Sequence, residues 1–421
     1  MNARRRACWL ALSASLWPAA ARASSDDDQV DAQRVLRFPR DHGAHPGARI
    51  EWWYVTGWLT SNQDVKQITQ IKRDQLIGFQ VTFFRSRTGL AADLPGRLAP
   101  RQLLFAHAAV SDLASGRYRH AQRIGRWSGQ AALPDLANAS TSTSTSTSAA
   151  APAVPSASAA ESTSAAASAA MEDLRVRLAA WRIERESAAD GQGLADTYRA
   201  RVAAPEAGFT LDVQLSATQP LLLQGDSGYS RKGPPPHASH YVSHPQLAVR
   251  AQLTLDGRAR AVQGRAWFDH EWSDSLLPPG AVGWDWIGIN LADGSALTAF
   301  VMRAADGRSL WAGGSHRSAG GRHPAGGAEL KVFEPGQVRF TPQRLWTSAV
   351  SGASYPVQWR IDTPAGSHVL EALLDAQELD SRGSTGSAYW EGLSELRDLS
   401  GQRVGLGFLE MTGRAGALRL G

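Results

Sequence analysis

Cysteine is all but missing. Of 421 residues only Cys8 is one, so a disulfide framework is excluded and the fold must be held by its core. Long apolar runs are missing too. The one continuous stretch, Ala7 to Ala21, is too short to span a bilayer comfortably and follows Arg4, Arg5 and Arg6, so the chain does not read as an integral membrane protein. No Gly-x-Ser-x-Gly elbow surrounds any serine, which argues against a standard α/β-hydrolase triad. Gly405-Leu406-Gly407 lacks a surrounding βαβ unit, so no nucleotide cofactor is implied.

A large excess of one charge is also absent once the N-terminus is understood. The arginine cluster, the apolar run and the small residues of Ala21-Arg22-Ala23 form a signal peptide over residues 1–23, with polar Ser24-Ser25-Asp26-Asp27-Asp28 beyond it. The expected location is therefore exported, periplasmic or secreted, by a Sec or a twin-arginine route. Cleavage removes Arg4, Arg5, Arg6 and Arg22 and no acid from 44 basic and 39 acidic residues, so most of the formal +5 belongs to the leader. A nucleic-acid partner is not expected, because no basic face is left to carry it.

What is present is tryptophan, 15 in all, and a dominant period of two. The segments Glu51 to Leu59, Gly78 to Phe84, Phe209 to Leu215, Ala261 to Trp272, Gly283 to Leu291, Ser295 to Arg303, Tyr355 to Thr363, Val369 to Glu378 and Val404 to Thr412 all alternate as strands. Turn signals such as Asp256-Gly257, Asp293-Gly294 and Asp306-Gly307 separate them. No long amphipathic helix is apparent. The expected fold is all-β, with two antiparallel barrels in tandem, 34–275 and 276–421, divided where Leu276-Leu277-Pro278-Pro279-Gly280 breaks the rhythm. Residues 139–170 are almost entirely Ala, Ser, Thr and Pro and read as a disordered insert, and Gly313 to Gly327 reads as a long hairpin loop.

Two clusters carry candidate chemistry. In the first, alternation puts Trp52, Tyr54 and Trp58 on one face and Trp53, Val55 and Leu59 on the other. Either one face packs the barrel and the other the sister domain, or one set lines an apolar ligand cavity. In the second, Trp267, Asp269 and Glu271 share one face, Phe268, His270 and Trp272 the other, with Trp284 and Trp286 close behind in sequence. A carboxylate held among indoles is pushed towards its protonated form, so Asp269 or Glu271 can act as a general acid, and the indole faces can stabilise a developing cation. The alternative is that these acids pair with arginines such as Arg265. His42 and His45, with Glu51 and His107, offer a possible zinc set, but the His-x-x-His pair lies in a Gly-rich loop rather than on a helix, and no metal is assigned.

The blocks Phe38 to His45, Glu51 to Tyr54, Gly78 to Arg85, His107 to Asp112, Leu223 to Asp226, Trp267 to Ser273, Gly283 to Trp286 and Tyr389 to Gly392 together resemble the carotenoid 1,2-hydratase and AttH-like group. The resemblance runs from about Phe38 to Thr412. It implies tandem lipocalin-like barrels and a pocket for an apolar, isoprenoid-like molecule, since a barrel interior readily holds one small ligand. It implies Asp269 as the acid that protonates an alkene, with Trp267, Trp284 and Trp286 stabilising the cation, His270 or Tyr241 orienting, and Glu271 a further acid. Trp52, Tyr54, Trp272 and His107 complete the expected ligand wall. The other function open to such a barrel is non-catalytic carriage of a lipid in the periplasm, with an ABC transporter as partner.

Overall fold

The computed structural model describes residues 28–61, 68–89, 101–127, 167–186, 196–319 and 329–416. The described residues form two large antiparallel sheets and, as helix, only single 3-10 turns such as Arg40–His42. Helix is not favoured where apolar residues alternate, because period two buries one face of a strand and would scatter over a helix.

The first sheet has 13 strands. Its middle runs in the order Gln102–Asp112, Ile77–Arg87, Ile50–Thr60, Arg258–Ser273, Ala238–Leu255 and Phe209–Ser216. It curls almost into a barrel, its end strands Arg117–Trp127 and Ala167–Ala169 packing together. The second sheet has 10 strands, with Ala296–Arg303, Gly283–Leu291, Arg403–Met411 and Ala388–Arg397 adjacent at its middle. No helix among the described residues is long and apolar enough to cross a membrane.

The barrel interior is filled. Trp53, Val55, Leu59, Phe79, Phe83, Trp181, Tyr198 and Phe268 form one buried cluster, and a second core holds Tyr355, Trp359, Ile361, Trp390 and Met411. A third cluster lies between the sheets, with Tyr54, Trp58 and Trp267 meeting Trp286, Phe300, Leu393 and Phe408. The two readings of the first aromatic strand therefore combine. One face packs the barrel, and the other packs the second sheet while contributing to the cavity described below.

A bulge locks the two sheets together. The ladder between Ala238–Leu255 and Arg258–Ser273 shifts between His244 and Leu247, and Gln246 takes a positive φ of 60°. This turns its amide towards the second sheet, where its backbone N–H donates to Asn290 Oδ1 at 2.7 Å and its side chain to Ser295 O at 2.7 Å. Asn290 Nδ2 returns a bond to Ala266 O at 3.0 Å.

Two loop expectations are corrected. Most of the 139–170 insert, 139–166, lies outside the described residues, but its last residues are ordered. Ala167–Ala169 pairs with Arg175–Leu178, Ala169 is buried, and Ala44 N donates to Ala170 O at 2.7 Å. Alanine fits here because the chain runs close to the 40–45 loop, so close that a Cβ on Gly43 would lie 2.4 Å from Met171 O. Gly313 and Gly314 belong to the Ser309–Arg317 strand rather than to a loop, and Gly313 leaves room for the ring of Phe300, which a Cβ would approach to 2.8 Å. Residues 320–327 of that stretch lie outside the described residues.

Candidate functional site

Strand register assembles the site. On the outward face of the first sheet, His107, Thr82, Tyr54, Asp269 and Ser243 stand side by side on five adjacent strands, and Phe84, Trp52, Glu271 and Tyr241 form the next row. At about 4.8 Å per strand, His107 and Asp269 stand about 14 Å apart. The facing wall comes from the second sheet, where Glu391, Glu410, Trp286 and Phe300 form one row. Trp284, whose carbonyl accepts from Thr412 N–H and whose N–H donates to Thr412 Oγ1, forms the next row with Met302. Between the walls is a cavity of about 140 Å³, partly open to solvent. It lies between the sheets and not inside a barrel, because large side chains already fill the barrel interior.

Asp269 sits at one end, 3% exposed. Its Oδ1 accepts from Ser243 Oγ at 2.6 Å and Trp267 Nε1 at 2.7 Å, and its Oδ2 from Tyr241 Oη at 2.8 Å. Tyr241 in turn accepts from Trp286 Nε1 at 3.0 Å, which ties the acid to the second sheet. Burial pushes Asp269 up to about 7, against the three donors that hold it down. It can therefore carry or release a proton near neutral pH. Arg265 does not pair with it; its Nη1 donates to Gln246 Oε1 at 2.9 Å at the bulge.

Glu271 is raised by burial, with Lys232 the cation that offsets this. Lys232 is itself pushed down to about 8 by burial, and its Nζ donates to Ser275 O at 2.5 Å. On the facing wall Glu391 and Glu410 are directly opposite one another. Burial and then Glu410 hold Glu391 well above the usual carboxylate range, and burial lifts Glu410 to about 7. Among the described residues no ion pair engages Asp269, Glu391 or Glu410.

The far end is closed by His107. Its Nδ1 meets Tyr389 Oη at 2.9 Å and its Nε2 meets Ser384 Oγ at 3.0 Å, and burial lowers it to about 3, so the ring is neutral.

Of the residues singled out from sequence, Asp269, Glu271, Tyr241, Trp52, Tyr54, Trp284, Trp286 and His107 line this cavity. Trp267 packs beneath it and donates to Asp269. His270 and Trp272 do not join them, and this corrects their expected roles. Alternation turns both to the opposite face. His270 Nε2 meets Glu51 Oε1 at 3.0 Å, and Trp272 stacks on His45 with ring centroids 3.7 Å apart. Sequence reasoning missed Glu391 and Glu410. Each is an acid inside a buried apolar strand, the same signal that marked Asp269.

His45, Glu51 and His270 bring ligand atoms within 4.8 Å of one another, the kind of set that could hold a metal. His107, one of the possible zinc ligands, is not among them. Here the positive charge comes from Arg85, whose Nε donates to Glu51 Oε2 at 3.0 Å and whose Nη2 donates to His45 O at 2.7 Å. Both Glu51 oxygens and both His45 ring nitrogens are already engaged. The group fits a structural clasp that fastens the 40–48 loop to the barrel.

The AttH-like family pattern matches residues 29–414. The chain belongs to the AttH-like family. An AttH candidate from Nitrosomonas europaea of known crystal structure is 39% identical, with 92% of this chain and 99% of that one covered and a TM-score of 0.69. Kievitone hydratase from Nectria haematococca shares the fold at 15% identity, with 92% of this chain and 94% of that one covered and a TM-score of 0.58. No curated protein matches. For this AttH-like chain the fold is thus two antiparallel β-sheet units of lipocalin-like kind.

Proposed function

We propose that this AttH-like protein is an exported hydratase that adds water across a carbon–carbon double bond of an apolar substrate, an isoprenoid such as an acyclic carotenoid or another lipid. The observation that carries the reading is a buried Asp269 without an arginine partner, poised near neutral pH at the end of an aromatic cavity. Kievitone hydratase, named for a hydration, has the same fold, which is consistent with this chemistry.

In the proposed step Asp269 gives its proton to one alkene carbon, and the positive charge develops on the other. The faces of Trp52, Trp284 and Trp286 and the surrounding carboxyls hold that charge. Water adds to the cationic carbon, and its released proton passes to a carboxylate of the cavity. Exchange returns the proton to Asp269. Tyr241 and Ser243 hold the acid in place. Export rests on the leader, which lies outside the described residues.

The test is incubation of the mature protein and its Asp269→Asn variant with an acyclic carotenoid and mixed apolar lipids in ¹⁸O-labelled water, read by mass spectrometry. Label in an alcohol product with the wild type alone supports the reading. A lipid retained unchanged by both proteins would instead make this a carrier, with an ABC transporter as its candidate partner.

A further inference from the structure

Glu391 and Glu410 are more than extra acids, because of where the ladder puts them. They are cross-strand partners on one face, where like charges repel, and both line the cavity. Glu391 is 1% exposed, and the side chains that hydrogen-bond its carboxyl, Tyr54 and Gln80, are neutral. Tyr54, on the opposite wall of the same cavity, is one of these two neutral partners. Hydrogen bonds from neutral groups do not supply a counter-charge, and among the described residues no ion pair engages Glu391 or Glu410.

The groups around this pair determine what can bind beside it. From the first sheet come Asp269 and Glu271 on Arg258–Ser273, Tyr54 on Ile50–Thr60, His107 on Gln102–Asp112 and Tyr241 on Ala238–Leu255; from the second comes Tyr389 beside Glu391. Tyr118, on Arg117–Trp127, is the remaining titratable group within electrostatic reach of Glu391. Among the described residues Lys232 is the cavity's one lysine or arginine, and it is engaged with Ser275 O and acts on Glu271. Four carboxyls therefore face one basic group. The unmet demand is for positive charge, in a space walled by the indoles of Trp52, Trp284 and Trp286.

We propose that the cavity binds a hydrophobic organic cation, with the Glu391–Glu410 pair as its counter-charge. An alkylammonium head lies against these carboxyls on their cavity side, and its apolar body runs along the indole wall. Its arrival displaces the proton the pair holds, which leaves to solvent, so one positive charge replaces another. A neutral alcohol of the same shape gains no such exchange, and a carboxylate is repelled. The inference goes beyond hydration and holds whether or not that reaction takes place.

The probes are geranyltrimethylammonium, geraniol and geranate, titrated calorimetrically into the mature full chain at neutral pH in two buffers of different ionisation enthalpy. The expected result is that the cation binds at least about tenfold tighter than the alcohol, that the anion binds weakest, and that about one proton is released per cation bound. In an E391Q/E410Q double variant the preference falls to about threefold or less and proton release is lost. Because Gln keeps the shape and removes a buried repulsion, the thermal midpoint should not fall. If it does, the wild type at pH about 5 provides the second measurement, since protonating the pair shrinks the preference without a mutation. Equal binding of alcohol and cation, absence of proton release, or a preference that survives both E391Q/E410Q and low pH would overturn the proposal. Label incorporation is scored separately. Hydration without cation preference overturns only this inference, and cation preference without hydration overturns only the enzymatic reading.

Discussion

Asp269 owes its character to a contest between burial and hydrogen bonding. Three donors favour the carboxylate, yet burial outweighs them and the group titrates near 7. An Asp269→Asn variant keeps the shape but holds no proton to give, and its rate in the labelled-water assay is expected to fall by about 10²–10⁴-fold. A second expectation concerns stability. The folded pKa is raised above the unfolded 3.8, so the stability associated with this group is full below pH about 4 and is lost as pH rises towards 7. For a shift of this size that loss is about 4 kcal/mol, and Asp269→Asn should flatten the fall in denaturation midpoint over that window. A midpoint with unchanged pH dependence would show that Asp269 is ionised in the folded chain.

At the scale of elements, the Glu51 clasp and the Ala167–Ala169 strand carry contrasting predictions. Burial works against the Glu51 charge, but His270, His45 and Arg85 hold it well below the usual carboxylate range. Its stability is therefore present above the unfolded pKa and is lost as pH falls. Glu51→Gln leaves Arg85 buried beside a neutral partner, and the expected cost is about 3–5 kcal/mol in denaturant unfolding. For the strand, deleting residues 139–166 should leave the thermal midpoint in place, whereas extending the deletion through Ala170 should lower it. The longer deletion removes three paired residues and the bond between Ala44 and Ala170. Equal midpoints for the two deletions would mean that this edge contributes nothing.

For the whole molecule, the two sheets form one stability unit through the Tyr54, Trp58, Trp267 and Trp286 cluster and the Gln246 bulge. A chain ending at Ser275 would expose that aromatic face to water, and it is expected to associate or aggregate where the full chain stays dispersed, as light scattering would show. The pH optimum of stability is likewise a property of the whole. Asp41 and Glu51 are ionised in the fold and fail in acid, while Asp269, Glu271, Glu391 and Glu410 are raised and oppose the fold as pH climbs.

The residues themselves determined the all-β architecture, because alternation of apolar side chains needs no tertiary information: segments such as Glu51 to Leu59 and Gly283 to Leu291 read as strands and are strands. The acid among indoles at Asp269 was legible for the same reason, since a carboxylate on a buried face is unusual wherever that face packs. The alternating pattern also placed His270 and Trp272 away from Asp269, although the family resemblance implied a shared site. What pattern could not show was which face meets which. Glu391 and Glu410 lie over 100 residues from Asp269 and on another sheet, and only the packing of the two sheets brings them to one cavity. That packing depends on a bulge at Gln246 and on side chains filling the barrel, which left the cavity between the sheets. Periodicity is a local property of the chain, whereas a cavity is made by surfaces that meet only after folding.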